Sequence, residues 1–248
     1  MINVRNIFMS TVVVASTALT AIAQDDFVEL DFYIARSATD NSTVFGTISD
    51  ESPDALFFPG ERAVAVEFGP FLPGTIVAEE PGFFNPGTGG GFVQAPGAIA
   101  PFEGDGVNVD FIDVEIGDLS GSPLFFWDGT GPVNFTAVPD LFDDITVDQV
   151  EDVVSATGFI DDHPVITFEN GPPEGLYLTS LTTNLISADG LSDTDPTEPL
   201  FVVFGTPTIG EAQLDAALTF VNAALVPEPS SAALMAFAAV GLLRRRQK

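Results

Sequence analysis

The chain contains one histidine, His163, which stands in the sequence Asp-Asp-His-Pro. A Ser-His-Asp triad would have to use this residue, and one histidine cannot build a histidine-rich metal site. The sequence contains no Gly-x-Ser-x-Gly nucleophile elbow. A lone histidine beside a proline at the start of a strand is typical of a turn. We therefore interpret His163 as a structural residue that caps a turn.

Trp127 and Asp128 form the one place where an indole adjoins a carboxylate. Glycoside hydrolysis needs two carboxylates at a defined separation, usually among aromatic side chains that stack on sugars. The alternative interpretation is a core tryptophan followed by an Asp-Gly turn, and we prefer it. A carboxylate-based glycoside hydrolase is therefore the weakest hypothesis, and the sequence predicts no catalytic residue.

Acidic loops offer the oxygen ligands that calcium prefers. The segment 103–110 superficially suggests an EF-hand loop, but placing Gly106 at the sixth position would put Pro101 at the first. The segment 189–198 is a more flexible candidate without a defined motif. Calcium is the one cofactor that the sequence suggests, and its four candidate ligands are Asp189, Asp193, Asp195 and Glu198.

The chain is strongly acidic, with a formal net charge of −29 over 248 residues. Residues 24–227 hold 35 of the 36 acidic residues and only two basic ones, Arg36 and Arg62, which gives this part a net charge of −33. Phosphate binding needs basic residues, so nucleic acid is excluded as a partner. We interpret the charge as a solvated acidic surface.

The chain has no cysteine, and it has 23 phenylalanines against two tyrosines and one tryptophan. Disulfides and thiolate catalysis are therefore excluded, and stability must come from a hydrophobic core. A protein rich in phenylalanine and poor in tyrosine is expected to bury its aromatic side chains rather than display them on a binding face.

Short apolar runs separated by Gly, Pro, Asn and Asp fill the chain from residue 27 onward. Residues 27–35 alternate apolar and polar side chains, which predicts a half-buried strand. Roughly eight to ten such strands predict an all-β fold, an antiparallel β-sandwich. Further strands are predicted at 63–68, 107–116 with a β-bulge between Phe111 and Ile112, 124–127, 133–136, 164–169, 175–187 and 200–205.

Three segments break this pattern. The many Gly and Pro residues of segment 79–106 predict a long surface loop. Segment 142–157 predicts one or two helical turns. Segment 209–225 has apolar residues at helical spacing and predicts a short C-terminal helix, either a stalk or a lid on the sandwich.

Both ends of the chain predict targeting segments. Residues 1–23 have a basic start, an apolar middle and small residues at the exit, so we expect a signal peptide with a signal helix, cut by signal peptidase between Ala23 and Gln24. The predicted organisation is a signal peptide at 1–23, a β-sandwich domain at 24–208, a helical stalk at 209–225 and a C-terminal segment at 226–248.

The C-terminal segment carries an apolar run that predicts a transmembrane helix, although the run is shorter than the ~20 residues of a usual span. Basic residues follow this run directly, and by the positive-inside rule they keep the terminus cytoplasmic while the body lies outside. The residues that flank the predicted anchor are Arg244, Arg245 and Arg246.

The order of Val226-Pro227-Glu228-Pro229, a small-residue helix and a terminal arginine cluster resembles the PEP-CTERM sorting signal of Gram-negative bacteria. The resemblance implies that an exosortase recognises the triplet Pro227, Glu228 and Pro229, removes the tail and delivers the body to the cell surface or extracellular polymer. More weakly, residues 159–170 and 175–206 are similar to exported all-β proteins of such bacteria that lack known activity. Those proteins often carry additional histidines, which this chain lacks.

These features predict an exported, non-enzymatic β-sandwich at the cell surface or in the extracellular matrix. Its expected partners are signal peptidase, exosortase, the membrane during export and extracellular polysaccharide. The alternative is a calcium-assisted carbohydrate-binding module, which would display aromatic side chains in a groove.

Overall fold

The structure is a computed structural model that describes residues 30–49, 57–59, 61–72, 75–78, 82–88, 94–148 and 153–225. Within these residues the chain forms eighteen β-strands, one 3-10 helix and one α-helix. The predicted all-β class and the short C-terminal helix are confirmed. The predicted signal helix and transmembrane helix lie outside the described residues.

The strands are more numerous than predicted because turn-rich segments also form short strands. The 3-10 helix covers Pro139–Asp144, and helix α1 covers Glu211–Leu225. The strands are β1 Leu30–Ser37, β2 Thr43–Ser49, β3 Phe57–Pro59, β4 Ala63–Glu67, β5 Gly69–Leu72, β6 Thr75–Ala78, β7 Phe83–Pro86, β8 Ala98–Ile99, β9 Gly106–Ile112, β10 Val114–Ile116, β11 Leu119–Ser122, β12 Leu124–Trp127, β13 Thr136–Ala137, β14 Ile145–Asp148, β15 Phe159–Asp162, β16 Val165–Phe168, β17 Leu176–Ile186 and β18 Leu200–Gly205.

Two larger sheets and two smaller ones organise these strands. The first sheet has the order β15-β7-β1-β2-β3 with β8 also on β1, and the second has the order β13-β12-β17-β18-β4 with β9 also on β17. The smaller sheets are β14-β16-β6-β5 and the pair β10-β11. Pairing is mostly antiparallel, but β1 with β7 and β4 with β18 are parallel. The predicted antiparallel pairing therefore holds for most of the fold but not at these two pairs.

The main core cluster draws on both larger sheets. Phe32 and Ile34 of β1 share it with Val202 and Phe204 of β18, and Phe168 of β16 joins them. This arrangement is consistent with the predicted sandwich, in which two sheets bury their facing side chains between them.

Helix α1 covers the other face of the second sheet. Leu214, Ala217 and Val221 are fully buried in a cluster that includes Ala65 of β4 and Val203 of β18. The second sheet is therefore buried on both faces at β18, all six residues of which are buried. Of the two roles expected for this helix, its packing fits a lid rather than a stalk.

Strand β1 differs from its prediction. The alternating pattern predicts one exposed face, which carries Asp31 and Tyr33, yet both residues are buried. The reason is that β1 is an inner strand of its sheet and that a second cluster, which contains Ala95, covers the face carrying Tyr33. The segment 79–106 supplies that cover: the predicted surface loop is wrong where it forms β7 and β8 and buries Asn85, whereas residues 100–105 lie outside the strands as predicted.

Two further local predictions differ from the structure. The helical turns expected in 142–157 were centred on 147–154, of which 149–152 lie outside the described residues; in the described part, residues 145–148 form β14, which pairs with β16 along its length. Sheet pairing there overrides the helical pattern. The predicted bulge between Phe111 and Ile112 is instead a break at Asp113, because β9 pairs with β17 whereas β10 pairs with β11.

Candidate functional site

Three neighbouring strands, β15, β7 and β1, place a glycine between two polar side chains. Gly82 directly precedes β7, and its carbonyl accepts a hydrogen bond of 2.9 Å from the backbone N–H of Phe32 on β1. On the other side, Asp162 of β15 pairs in register with Phe83 of β7. The next residue, His163, therefore lies level with Gly82, and Asp31 of β1 lies on the opposite side.

We call Asp31, Gly82, Asp161 and His163 the Gly82 site. The backbone N–H of Gly82 donates to Asp31 Oδ1 at 2.8 Å, and His163 Nε2 lies 2.7 Å from Asp161 Oδ1. Asp31 is 3% exposed, Asp161 is exposed and His163 is half-buried. The site is therefore exposed to solvent at Asp161 on β15 and buried at Asp31 on β1.

Only a glycine fits at the centre of this site. A Cβ on Gly82 would lie 2.7 Å from Asp31 Oδ1 and 2.8 Å from His163 Cε1, closer than real Cβ contacts come. Within the described ranges, Asp31, Asp161 and His163 are the one group of three potential metal ligands whose ligand atoms lie within 4.8 Å of one another. An imidazole and two carboxylates at this spacing can form an ion pair with a shared proton or hold a cation.

Sequence reasoning found only half of this site. Asp161 and His163 lie two positions apart along the chain, and their side chains are in contact. The alternation of residues 27–35 places Asp31 on the exposed face of a half-buried strand, so nothing in the sequence links it to His163. A signal was present in Gly82, because an isolated glycine beside a strand often marks a close approach of other groups.

A polar network beside the Gly82 site fixes the path of β7. Tyr33 donates its hydroxyl hydrogen to Gln94 Oε1 at 2.5 Å, and Gln94 Nε2 donates to Asn85 Oδ1 at 3.0 Å. Asn85 Nδ2 donates in turn to the carbonyl of Ile34 at 2.7 Å. Burial raises the pKa of Tyr33, which keeps its hydroxyl protonated as a donor. The network ties the segment that follows Gly82 to β1.

Arg36, also on β1, forms a buried ion pair. Its Nε and Nη2 donate to the two carboxylate oxygens of Asp105 at 2.8 and 2.9 Å. Its Nη1 donates to the carbonyl of Ser192 at 2.6 Å, and its Cζ lies 4.5 Å from the centre of the Phe102 ring. A bidentate pair with further contacts of this kind holds separate segments in one geometry. Arg36 thus links the loop around Ser192 to the first sheet through hydrogen bonds.

The structure does not bring the four predicted calcium ligands together. Asp189 and Asp193 both accept from the Ser187 hydroxyl, at 2.8 and 3.0 Å. The backbone N–H of Leu191 also donates to Asp189 Oδ1 at 2.9 Å. The hydrogen bond from Leu191, followed by that from Ser187, lowers the pKa of Asp189. The other two acidic residues lie apart from this turn: Asp195 pairs through its backbone with Ser42 and Asn41, and the carboxylate of Glu198 pairs with Arg62 at 2.8 Å.

Trp127 and Asp128 have the structural roles that we preferred. Trp127 is 5% exposed, and its Nε1 donates to the carbonyl of Thr130 at 3.1 Å. Asp128 Oδ1 accepts from the backbone N–H and the hydroxyl of Thr130, at 2.9 and 2.8 Å, which lowers the pKa of Asp128. The carboxylate thus closes the turn that follows a core tryptophan.

Residues 225–247 match the PEP-CTERM protein-sorting motif. The match covers the triplet Pro227-Glu228-Pro229 and the arginines 244–246, so the resemblance seen in the sequence is confirmed, although residues 226–248 lie outside the described structure. This motif indicates an exported protein that is anchored in the membrane during export and processed by an exosortase. No curated protein and no solved structure shows a significant match to the chain.

Among the residues that the structure describes, no helix is long and apolar enough to cross a membrane.

Proposed function

We propose that the body of this exported protein is a non-enzymatic structural component of the cell surface or of the extracellular polymer around the cell. The observation that carries the proposal is the sorting motif at residues 225–247. Exosortase processing separates the body from its anchor, and the separated body then acts where it is released.

The charge of the body supports a role in the extracellular matrix. Residues 24–227 carry only Arg36 and Arg62 against 35 of the 36 acidic residues of the chain. Such a polyanion stays hydrated, and neighbouring copies repel one another, which spaces them in a polymer layer. Buried Arg36 adds nothing to surface attraction, because its charge is already paired with Asp105.

The aromatic side chains favour this role over a carbohydrate-binding module. Among the residues whose burial the structure describes, Phe102 and Phe159 are the exposed phenylalanines, at 51% and 42% exposure. The Phe102 ring lies beneath the Arg36 guanidinium, and Phe159 makes an edge contact with Phe84. Each ring packs against one neighbouring side chain, and the other phenylalanines whose burial the structure describes are buried or half-buried, whereas a binding module is expected to display its aromatic side chains. The hydrogen-bonded acids of the 189–198 segment give no support to calcium assistance.

The sorting step is tested by replacing Pro227, Glu228 and Pro229 together with alanine in the native host. We expect the parent chain to lose its tail and leave the membrane, whereas this variant keeps its tail and stays in the membrane fraction. The matched control replaces the adjacent Ser230 and Ser231 with alanine and should behave like the parent. Identical size and location of all three chains would contradict exosortase sorting.

The structural role is tested by separating released protein from purified extracellular polymer. We expect the processed body to sediment with the polymer and to be missing from polymer prepared from cells that lack the gene. Recovery of the body entirely in the free medium would contradict the matrix role and would leave the sorting step intact.

A further inference from the structure

The Gly82 site combines two kinds of ligand atom from strands that are distant in the sequence. Asp31 comes from β1, whereas Asp161 and His163 come from the end of β15, and their potential ligand atoms lie within 4.8 Å of one another. Ligands of one zinc ion lie about 2.0–2.2 Å from the metal and so within about 4 Å of each other. The spacing of these three atoms is therefore close to that of ligands on one ion.

We propose that Asp31, Asp161 and His163 bind a divalent transition-metal ion, with Zn²⁺ as the representative ion. The metal would replace the direct contact of 2.7 Å between His163 Nε2 and Asp161 Oδ1 and would link β1 to β15 across Gly82. This role is separate from the sorting step and from the structural function proposed for the body.

The ligand types select this class of metal. Calcium and magnesium prefer oxygen ligands only, whereas an imidazole nitrogen with carboxylate oxygens suits zinc and its first-row neighbours. Three protein ligands would leave coordination positions for water on the exposed side of Asp161. The acidic body also raises the local concentration of cations around the site.

The glycine at position 82 allows these side chains to approach each other closely. A Cβ there would lie 2.7 Å from Asp31 Oδ1 and 2.9 Å from His163 Nδ1, so the absence of a side chain lets a carboxylate on β1 and an imidazole just after β15 meet over the backbone of Gly82. Asp31 is 3% exposed, so a metal ion bound through it would be shielded from solvent on the side of β1. Its hydrogen bond from Gly82 N–H orients the carboxylate toward this space.

The test is a titration of the full-length chain in detergent with ZnCl₂, followed by calorimetry and by NMR of the histidine ring. His163 is the only histidine in the sequence, so with a purification tag that lacks histidine the imidazole signals report this site alone. We expect these signals to shift and to saturate at one equivalent of zinc. Calcium and magnesium at the same concentration should leave them unchanged.

Three variants identify the ligands: His163→Gln, Asp161→Asn and Asp31→Asn. Each should weaken zinc binding at least about 10-fold, because each removes one ligand atom. Asp189→Asn is the matched control, since it removes a carboxylate from the acidic loop, and it should bind zinc like the parent. Asp161 is exposed, so its variant should fold even if the change at buried Asp31 prevents folding.

Zinc affinity that is unchanged in both Asp161→Asn and His163→Gln would overturn the proposal. The proposal would also be overturned if the imidazole signals did not respond to zinc, or if Asp189→Asn lost as much zinc affinity as the variants of the Gly82 site. A loss of affinity confined to the variants of the Gly82 site would support it.

Discussion

The Gly82 site and the loop at 187–195 both concentrate acidic side chains, but they hold these side chains in different ways. In the loop, Asp189 and Asp193 accept hydrogen bonds from Ser187, a few positions away along the chain. In the Gly82 site, Asp31 meets His163 across an intervening strand. The loop carboxylates stabilise their own turn, whereas the site joins three strands of a sheet.

This difference shows that a high density of acidic residues in a sequence does not by itself predict a binding site. Asp and Ser residues in a turn readily bond to nearby backbone groups, which uses the carboxylate oxygens locally. A site requires side chains that converge from separate elements onto one space. Arg36 of β1 connects the first sheet with the loop, because its side chain contacts both Asp105 and the carbonyl of Ser192.

The largest expected effect comes from breaking that connection with Asp105→Asn. The change leaves the Arg36 charge buried without a carboxylate, and we expect a loss of about 3–5 kcal/mol in the free energy of unfolding, measured by denaturant titration. The control is Glu198→Gln, which breaks the exposed pair with Arg62 and should cost less than about 1 kcal/mol. Equal losses in the two variants would mean that burial of the pair does not matter.

A smaller effect is expected from Gly82→Ala. The added Cβ would collide with Asp31 and His163, so the variant should lose about 1–3 kcal/mol in the free energy of unfolding. The control is Gly106→Ala, where a Cβ would meet no atom within 4 Å, and it should change the free energy by less than about 0.5 kcal/mol. A thermal or denaturant melt of both variants checks this, and a fully stable Gly82→Ala protein would contradict the close packing of the site.

The smallest effects are expected from pH, which should change the free energy of unfolding in opposite directions at Tyr33 and at Asp189. The raised pKa of Tyr33 means that the unfolded chain ionises first, so the stability from this group is constant below about pH 10 and falls above it. The lowered pKa of Asp189 means that its contribution is present above about pH 4 and is lost as the pH falls.

Melting curves across the pH range distinguish these contributions. Tyr33→Phe should reduce the loss of stability at alkaline pH, and Asp189→Asn should reduce the slope at acid pH. The ultraviolet absorbance of tyrosinate gives a second readout, because Tyr33 and Tyr177 are both fully buried and are the only tyrosines in the sequence. Ionisation of both tyrosines in a chain that is still folded would contradict their burial.

Much of the fold was predictable because strand patterns are local. Strand β12 and strand β18 begin and end where the alternating and apolar runs predicted. The failures share one cause, which is contact with distant residues. Cover from the segment around Ala95 buries the second face of β1, and pairing with β16 turns a predicted helical segment into β14.

The sorting motif, the charge of the body and the all-β class can be predicted from the amino-acid sequence, because each depends on short segments or on composition. The packing of helix α1 on a sheet, the pair of Glu198 with Arg62 and the contact of Asp31 with His163 over Gly82 become visible only in the folded chain. These features depend on which strands become neighbours, and strand order is set by the burial of apolar surface across the whole body rather than by any one segment.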